Sequence, residues 1–170
     1  MRVLSSGNIL CLSGGNTSAT GTGIAFPATQ SASSDANTLD DYEEGTFTPT
    51  YLGDGGNPTV TYGQRLGSYI KVGSLVYFSI RLYTTGSSGG SGNLTIGGLP
   101  FTAGGPSGTI YAFAQGFLFL WNTTPAAGFV NNGSTYVALY SSTVANTQSQ
   151  VSNLPNGPCY YGVSGCYQVN

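Results

Sequence analysis

The chain has 170 residues, of which 39% are hydrophobic and only 6% are charged, against roughly 25% in an ordinary soluble domain. A net charge of −2 without a basic cluster argues against nucleic-acid binding, which needs Lys and Arg to neutralise phosphates. No apolar run reaches the roughly 18 residues of a membrane-spanning helix, and the N-terminus does not read as a signal peptide. The length suits one domain with an extension, made in a cytosol.

The first 22 residues form a thin leader rich in Ser, Gly, Asn and Thr. The run Ser6-Gly7-Asn8 is a turn signal and predicts a small hairpin. The leader has too few apolar side chains to offset the entropy of ordering it alone. A threefold axis would let three copies share one thin core. The residues expected at this stem interface are Leu4, Ile9, Leu10 and Leu12.

Residues 23–45 form a junction between the leader and the rest of the chain. Ile24 and Phe26 alternate with small residues and predict a short strand. Residues 35–44 have the only helix-like composition, for which one turn at most is expected. Most of the negative charge lies here, and we expect it to form a solvated turn of mutually repelling acids and not a catalytic site. The junction acids are Asp40, Asp41, Glu43 and Glu44.

From Thr46 onwards the pattern is that of β-strands. Val76, Phe78, Ile80 and Leu82 alternate with polar or mixed residues, which predicts a hairpin with one core face around the turn at Gly73. Residues 110–121 are apolar on both faces and predict one long strand, either central in a sheet or between subunits. Strands separated by Gly-rich turns predict a sandwich or a jelly roll.

Residues for catalysis or metal binding are scarce. The chain has no His, so a Ser-His-Asp triad and imidazole ligands are excluded. The region after residue 54 has no acid, whereas a glycosidase needs two carboxylates across its substrate. Cys11, Cys159 and Cys166 lack zinc-ligand spacing and are expected to be free thiols, with a disulfide between the last two as the alternative. We expect no cofactor.

Aromatic and amide side chains offer one binding chemistry. Tyr and Trp stack on sugar rings, and Asn bonds sugar hydroxyls, although such residues serve more often in a core or a subunit interface. The candidates for receptor contact are Tyr111, Trp121, Asn122, Tyr136 and Tyr140. Three loops rich in Gly, Asn and Ser are the expected contact regions, because binding residues usually lie on loops of a rigid sheet. They span residues 84–92, 122–133 and 144–157.

Several motifs resemble those of bacteriophage fibre proteins. The run GIAFPATQSASSDANTLDDYEEGTFTP at residues 23–49 is similar to the segment that joins a slender trimeric stem to a C-terminal β-rich knob. The match continues at Tyr69-Ile70-Lys71-Val72-Gly73 and at Gly98-Leu99-Pro100-Phe101, and SSGN at residues 5–8 resembles a stem repeat. In such fibres the junction acids are expected to meet Arg65, Lys71 or Arg81, within the chain or from a neighbouring one.

The resemblance implies an all-β homotrimer with a stem and junction at residues 1–45 and a jelly-roll-like β-sandwich knob at residues 46–170. It implies a non-enzymatic structural component of a phage virion, made in the host cytoplasm. The function expected first is a tail fibre whose knob contacts the host surface, with a host glycan as a candidate partner beside other virion proteins. The alternatives are a trimeric capsid decoration protein and a fragment of a polysaccharide depolymerase. Neither nucleic acid nor membrane insertion is expected.

Overall fold

The computed structural model describes residues 2–3, 9–11, 23–27, 39, 41–114, 116–142 and 147–170. These residues form β-strands and one short 3-10 helix, Val151–Asn153. The strands are β1 (Arg2–Val3), β2 (Ile9–Cys11), β3 (Gly23–Ala25), β4 (Tyr42–Phe47), β5 (Thr50–Gly53), β6 (Thr59–Val72), β7 (Leu75–Ser88), β8 (Leu94–Gly97), β9 (Ile110–Ala114), β10 (Phe117–Phe119), β11 (Ala127–Asn131), β12 (Tyr136–Ser142), β13 (Thr147–Gln148) and β14 (Cys159–Gln168). Within this described part, no helix has the length and apolarity to cross a membrane.

The chain divides into two compact units. The first comprises Met1–Glu43 with Lys71–Gly73, and the second comprises Glu44–Ile70 with Ser74–Asn170. In the first unit, β1 pairs antiparallel with β2, in agreement with the predicted hairpin, whose turn at residues 6–8 lies outside the described residues. The strand β3 adds to β2 in parallel, in agreement with the strand predicted at Ile24. The assignment of residues 1–45 to a stem and 46–170 to a knob stays a prediction.

The main fold is a pair of β-sheets that share one core. A five-stranded sheet has the order β10-β14-β7-β6-β4, and a second sheet has the order β5-β8-β12-β11-β9 with β13 beside β12. Side chains from both sheets meet between them: the ring of Phe78 on β7 lies edge-on to that of Phe113 on β9, at a centroid distance of 5.4 Å. The predicted all-β sandwich is therefore present.

The predicted hairpin face is confirmed on β7. Val76, Phe78, Ile80 and Leu82 are buried, as the period of two along a strand requires. The strand β14 pairs with β7 in antiparallel register from Cys159↔Thr84 to Gln168↔Leu75. Residues directly opposite share a face, so the buried side chains of β14 join those of β7. The largest fully buried side chains of the core are Tyr51, Tyr161, Tyr167, Phe78, Ile80, Leu82, Leu94, Ile96, Leu139, Val76, Val130 and Val137.

The single central strand predicted at residues 110–121 is wrong. The segment forms β9 and β10, which lie at the edges of different sheets. The break falls at Gly116, where an added Cβ would lie 2.6 Å from the carbonyl oxygen of Gly162. Only glycine allows that approach, and the chain changes sheets there. Exposure follows from the edge position: Phe117 is 62% and Phe119 is 53% exposed. A location between subunits stays a prediction.

The helical turn predicted for residues 35–44 fails over its described end, because Tyr42–Phe47 is strand β4. Gly45 is one reason why this segment forms a strand. A Cβ at Gly45 would lie 2.8 Å from the ring of Tyr69, so the strand can approach β6 closely only with glycine at this position. The remainder of the predicted turn lies outside the described residues, apart from Leu39 and Asp41.

Candidate functional site

Parts of the three regions predicted as loops line one cleft of about 500 Å³ in the second unit. The prediction of loops is wrong for residues 84–88, 127–131 and 147–148, which belong to β7, β11 and β13, and residues 144–146 lie outside the described residues. The first loop follows β7, the second begins after Trp121, and the third contains the 3-10 helix. The cleft is lined by Ser87, Ser88, Gly89, Gly90, Ser91, Gly92, Asn122, Gln150, Val151, Ser152, Leu154 and Asn156. None of these side chains is ionisable, so the cleft is polar but uncharged.

The first loop is held in place by glycines that no other residue can replace without strain. Gly90 and Gly92 have φ values of 76° and 82°, in the left-handed region. A Cβ at Gly90 would lie 2.6 Å from the backbone nitrogen of Pro58, and one at Gly92 would collide with the carboxylate of Asp54. The loop therefore packs its backbone directly against the turn that follows β5.

A hydrogen-bond network connects this loop with the third loop. The carboxylate of Asp54 accepts hydrogen bonds from the backbone N–H of Asn93 at 2.7 Å and from Asn93 Nδ2 at 2.8 Å. The Oδ1 of Asn93 in turn accepts one from Gln150 Nε2 at 2.6 Å. The side chain of Asn153 accepts one from the backbone N–H of Gln150 at 2.6 Å, which caps the 3-10 helix. Two walls of the cleft are thus joined through charge-assisted and neutral bonds.

The cleft also has an apolar floor and free polar groups at its rim. Val151 and Leu154 are 5% and 3% exposed and belong to the core cluster. The exposed rim side chains include three serines and two asparagines. Within the described part of the chain, the hydroxyls of Ser88, Ser91 and Ser152 have no hydrogen-bond partner.

Of the residues proposed from sequence for receptor contact, only Asn122 lines the cleft, where its Nδ2 donates weakly to the Ser152 carbonyl at 3.5 Å. Trp121 is half-buried, packs against Tyr51, and donates from Nε1 to the Tyr160 carbonyl at 2.8 Å. These contacts give its ring a structural role. The Gly-, Asn- and Ser-rich composition indicated the regions that line the cleft. The argument from ring stacking favoured aromatic residues that pack in the core.

The three tyrosines proposed for receptor contact lie on β9 and β12 of the second sheet. Tyr111 donates from its hydroxyl to the Gly104 carbonyl at 2.9 Å. Tyr140 packs against Phe129 with ring centroids 4.8 Å apart, and Tyr136, at the start of β12, is 37% exposed. The structure does not bring these residues together with the cleft.

The junction acids have one clear partner. Asp41 forms a salt bridge with Lys71 inside the first unit, and their side chains are 6% and 4% exposed. The backbone carbonyl of Asp41 also accepts a hydrogen bond from Gly73 N–H at 3.0 Å. Glu43 is half-buried and Glu44 is exposed, and both make further interactions. Asp40 lies outside the described residues.

The other two candidate bases of the knob behave differently. Arg65 lies over the ring of Tyr62 at 4.6 Å and donates to the Thr50 hydroxyl at 3.2 Å. Arg81 has no acidic partner among the described residues. Of the four stem positions, Ile9 and Leu10 lie on β2, whereas Leu4 and Leu12 lie outside the described residues.

Sequence reasoning missed an aromatic cluster on the outer face of the five-stranded sheet. Tyr83 and Tyr160 stack with centroids 4.5 Å apart, and Phe117 and Phe119 each lie 6.2 Å from Tyr160. A groove beside the cluster contains Arg81 and is floored by the backbone at Gly162. No local pattern in the sequence indicates this cluster, because it depends on the pairing of β14 with both β7 and β10.

The buried ionisable groups of the second unit are suited to packing. Burial raises the pKa of Tyr167 to about 12 and that of Tyr51 well above its ordinary value. Burial likewise raises the pKa of the Cys159 thiol, which keeps it neutral and unreactive. Cys159 and Cys166 are free thiols, as expected from the sequence, while the side chain of Cys11 lies outside the described residues.

No protein-family model matches the chain, and no curated protein matches it. The fold is similar to that in the crystal structure of the Dettilon tailspike protein (gp208), with a TM-score of 0.59 and 20% sequence identity. The alignment covers 76% of this chain and 24% of the tailspike chain. The chain therefore spans about a quarter of the length of that protein, and the likeness establishes a shared β-fold.

Proposed function

We propose that the chain is a non-enzymatic structural component of a phage virion, a homotrimeric tail fibre whose jelly-roll-like knob contacts the host surface. The observation that carries this proposal is the likeness of the fold to part of a tailspike protein, over 76% of the chain. The resemblance of residues 23–49 to the stem-to-knob junction of phage fibres supports it independently. The protein is made in the host cytoplasm and becomes part of the virion.

Host contact through loops is supported by the convergence of three loops at the polar cleft. The backbone of the first and third loops is fixed by the Asp54–Asn93–Gln150 network, so their exposed hydroxyl and amide groups are presented in one arrangement. Ordered loops at the rim of a rigid sandwich are a common location for binding residues. The knob then contacts its receptor by hydrogen bonds and apolar burial.

Trimer formation is supported by the outer face of the five-stranded sheet. This face exposes large apolar side chains, which soluble monomers seldom place side by side. Within the second unit, the exposed large apolar residues on its strands are Leu66, Ile70, Leu75, Tyr77, Phe117 and Phe119. Burial of this face against neighbouring copies would remove it from water.

A role without catalysis is supported by the state of the carboxylates. The chain has no His, Asp41 is paired with Lys71, and the Asp54 carboxylate is engaged by two hydrogen bonds from Asn93. A general acid or base needs a carboxyl group within hydrogen-bond reach of substrate. Neither aspartate lines the polar cleft.

Labelled-antibody microscopy of virions tests the location. We expect the antibody label at the tail of the virion. Label on the head would contradict the tail-fibre role and favour a capsid decoration protein. Incubation with envelope polysaccharide is expected to release no reducing ends. Release that disappears on Asp54→Asn substitution would contradict the non-enzymatic role and favour the depolymerase.

Light scattering of the purified chain tests the assembly, with an expected mass about three times 17.4 kDa. Phe117→Ser with Phe119→Ser should shift the mass towards the monomer, because both side chains are more than half exposed on the proposed interface. Ile110→Ser, at a 57% exposed position on the other sheet, is the matched control. A folded wild-type monomer at micromolar concentration would refute the trimer.

A further inference from the structure

We infer that the cleft between the three loops is a binding site for a short, uncharged saccharide. This inference rests on the proposed host contact and names its ligand class. All of the residues that line the cleft belong to the second unit.

The rim of the cleft carries the chemistry that recognises sugar hydroxyls. A serine hydroxyl and an asparagine amide each donate and accept hydrogen bonds, as a sugar hydroxyl does. Ser88, Ser91 and Ser152 are exposed with unpartnered hydroxyls, and Asn156 is exposed beside them.

The charges around the cleft select against acidic ligands. No Lys or Arg lines it, so an anionic sugar would lose hydration without gaining a cation. The nearest acidic group is the Asp54 carboxylate, which lies directly behind Gly92 and repels anions. The chain has only four basic residues, and Arg65, Lys71 and Arg81 all lie outside the lining. Neutral sugar rings avoid both penalties.

The floor and size of the cleft fit a sugar ring. Its base is formed by Val151 and Leu154, which can pack against the apolar C–H face of a sugar while the rim bonds the hydroxyls. A volume of about 500 Å³ lies within the range of roughly 300–1,000 Å³ typical of small-molecule sites.

The cleft is organised before any ligand binds. The Ser91 N–H donates to the Gly56 carbonyl at 2.9 Å, and the Val151 N–H donates to the Gly92 carbonyl at 2.9 Å. The Ser87 hydroxyl donates to the Pro155 carbonyl at 2.8 Å, which ties the first loop to the third. Fixed walls reduce the entropy lost on binding, which matters for a ligand that gains only hydrogen bonds and a small apolar contact.

The test uses the purified full chain and immobilised oligosaccharides. The neutral probes contain glucose, galactose, rhamnose or N-acetylglucosamine, and the acidic probes contain glucuronic or sialic acid. We expect binding to at least one neutral probe, with less than about a twofold change in Kd between low and high salt because no charges meet. Ser88→Trp should fill the cleft and abolish binding, whereas Ser107→Trp, exposed on a loop outside the lining, should bind as the parent chain does.

Circular dichroism of both variants checks that they fold, and Asn156→Ala gives a milder test. Loss of one hydrogen-bonding side chain should weaken binding roughly three- to tenfold. The inference is overturned if no neutral probe binds, if acidic probes bind better, or if folded Ser88→Trp binds as tightly as the parent chain.

Failure of this inference can be told apart from failure of the proposed function. If host cells adsorb the parent chain and Ser88→Trp equally, host contact stands and the cleft is not its site. If a neutral probe binds at the cleft while antibody label lies on the virion head, the saccharide site stands and the tail-fibre role fails.

Discussion

The salt bridge between Asp41 and Lys71 gives a prediction whose size follows from burial. Both side chains are almost completely removed from water, at 6% and 4% exposure. Removal of Lys71 leaves Asp41 as a buried charge, which costs about 3–5 kcal/mol, whereas an exposed pair contributes about 0–1 kcal/mol. We therefore expect Lys71→Met to destabilise the first unit by about 3–5 kcal/mol, and Asp41→Asn to cost less, because Lys71 makes a further interaction.

Two measurements follow this loss. Urea denaturation reports the free energy of unfolding, and amide hydrogen exchange at Gly73 reports local opening, because its N–H donates to the Asp41 carbonyl. Exchange at Gly73 should accelerate roughly 100-fold or more, since about 1.4 kcal/mol corresponds to a factor of ten. Arg81→Met is the matched control, because Arg81 is exposed and has no acidic partner among the described residues. Its effect on monomer stability should stay within about 0.5 kcal/mol.

The double variant Asp41→Asn with Lys71→Met separates the pair from its surroundings. It should be more stable than Lys71→Met, because the buried carboxylate of Asp41 is no longer present. Additive losses in the double variant would show that the two side chains act independently. A loss below about 1 kcal/mol in Lys71→Met would place the pair in a solvated environment and refute the reasoning from burial.

Two further predictions concern the second unit. Burial raises the pKa of Tyr167 to about 12. The neutral hydroxyl therefore contributes about 3 kcal/mol to the free energy of unfolding below pH about 10, and this contribution is lost as the pH rises through about 12. Urea denaturation at pH 8, 10 and 12 should show this fall, and Tyr167→Phe should make it smaller, with the remainder due to other buried tyrosines such as Tyr51. A fall of unchanged size in Tyr167→Phe would contradict the assignment. Gly92→Ala should cost about 2–4 kcal/mol in thermal unfolding, since its φ of 82° disfavours a side chain and its Cβ would displace the Asp54 carboxylate. Gly157→Ala, where an added Cβ meets nothing within 4 Å, is the control and should be close to neutral; equal losses would refute the role of the Gly92 position.

Local sequence patterns predicted the strands whose buried face can be read from their own alternation of apolar and polar residues. The alternation at Val76, Phe78 and Ile80 reports one buried face, and it was correct because β7 has a core on one side only. The resemblance to phage fibres predicts a junction acid beside Arg65, Lys71 or Arg81, and the structure places Asp41 beside Lys71.

Predictions failed where the deciding contact is distant in sequence. The break at Gly116 depends on the backbone of Gly162, so periodicity within residues 110–121 could not reveal it. Trp121 looked available for stacking, but its indole N–H is bound by the Tyr160 carbonyl on another strand. The loops were predictable from their composition, whereas their meeting at one cleft depends on the order of strands in the two sheets.

The long pairing of β14 with β7 bears on the order of events during synthesis. Residues 75–84 leave the ribosome well before their partners at residues 159–168, and β10 has β14 as its neighbour in the sheet. Until β14 is made, the apolar face of β7 lacks part of its cover, and Tyr160 is not yet present to join Phe117 and Tyr83. One strand thus closes the core and completes the outer aromatic cluster in the same step. Non-local pairing of this kind is slow, and it delays the appearance of the outer surface until the chain has folded.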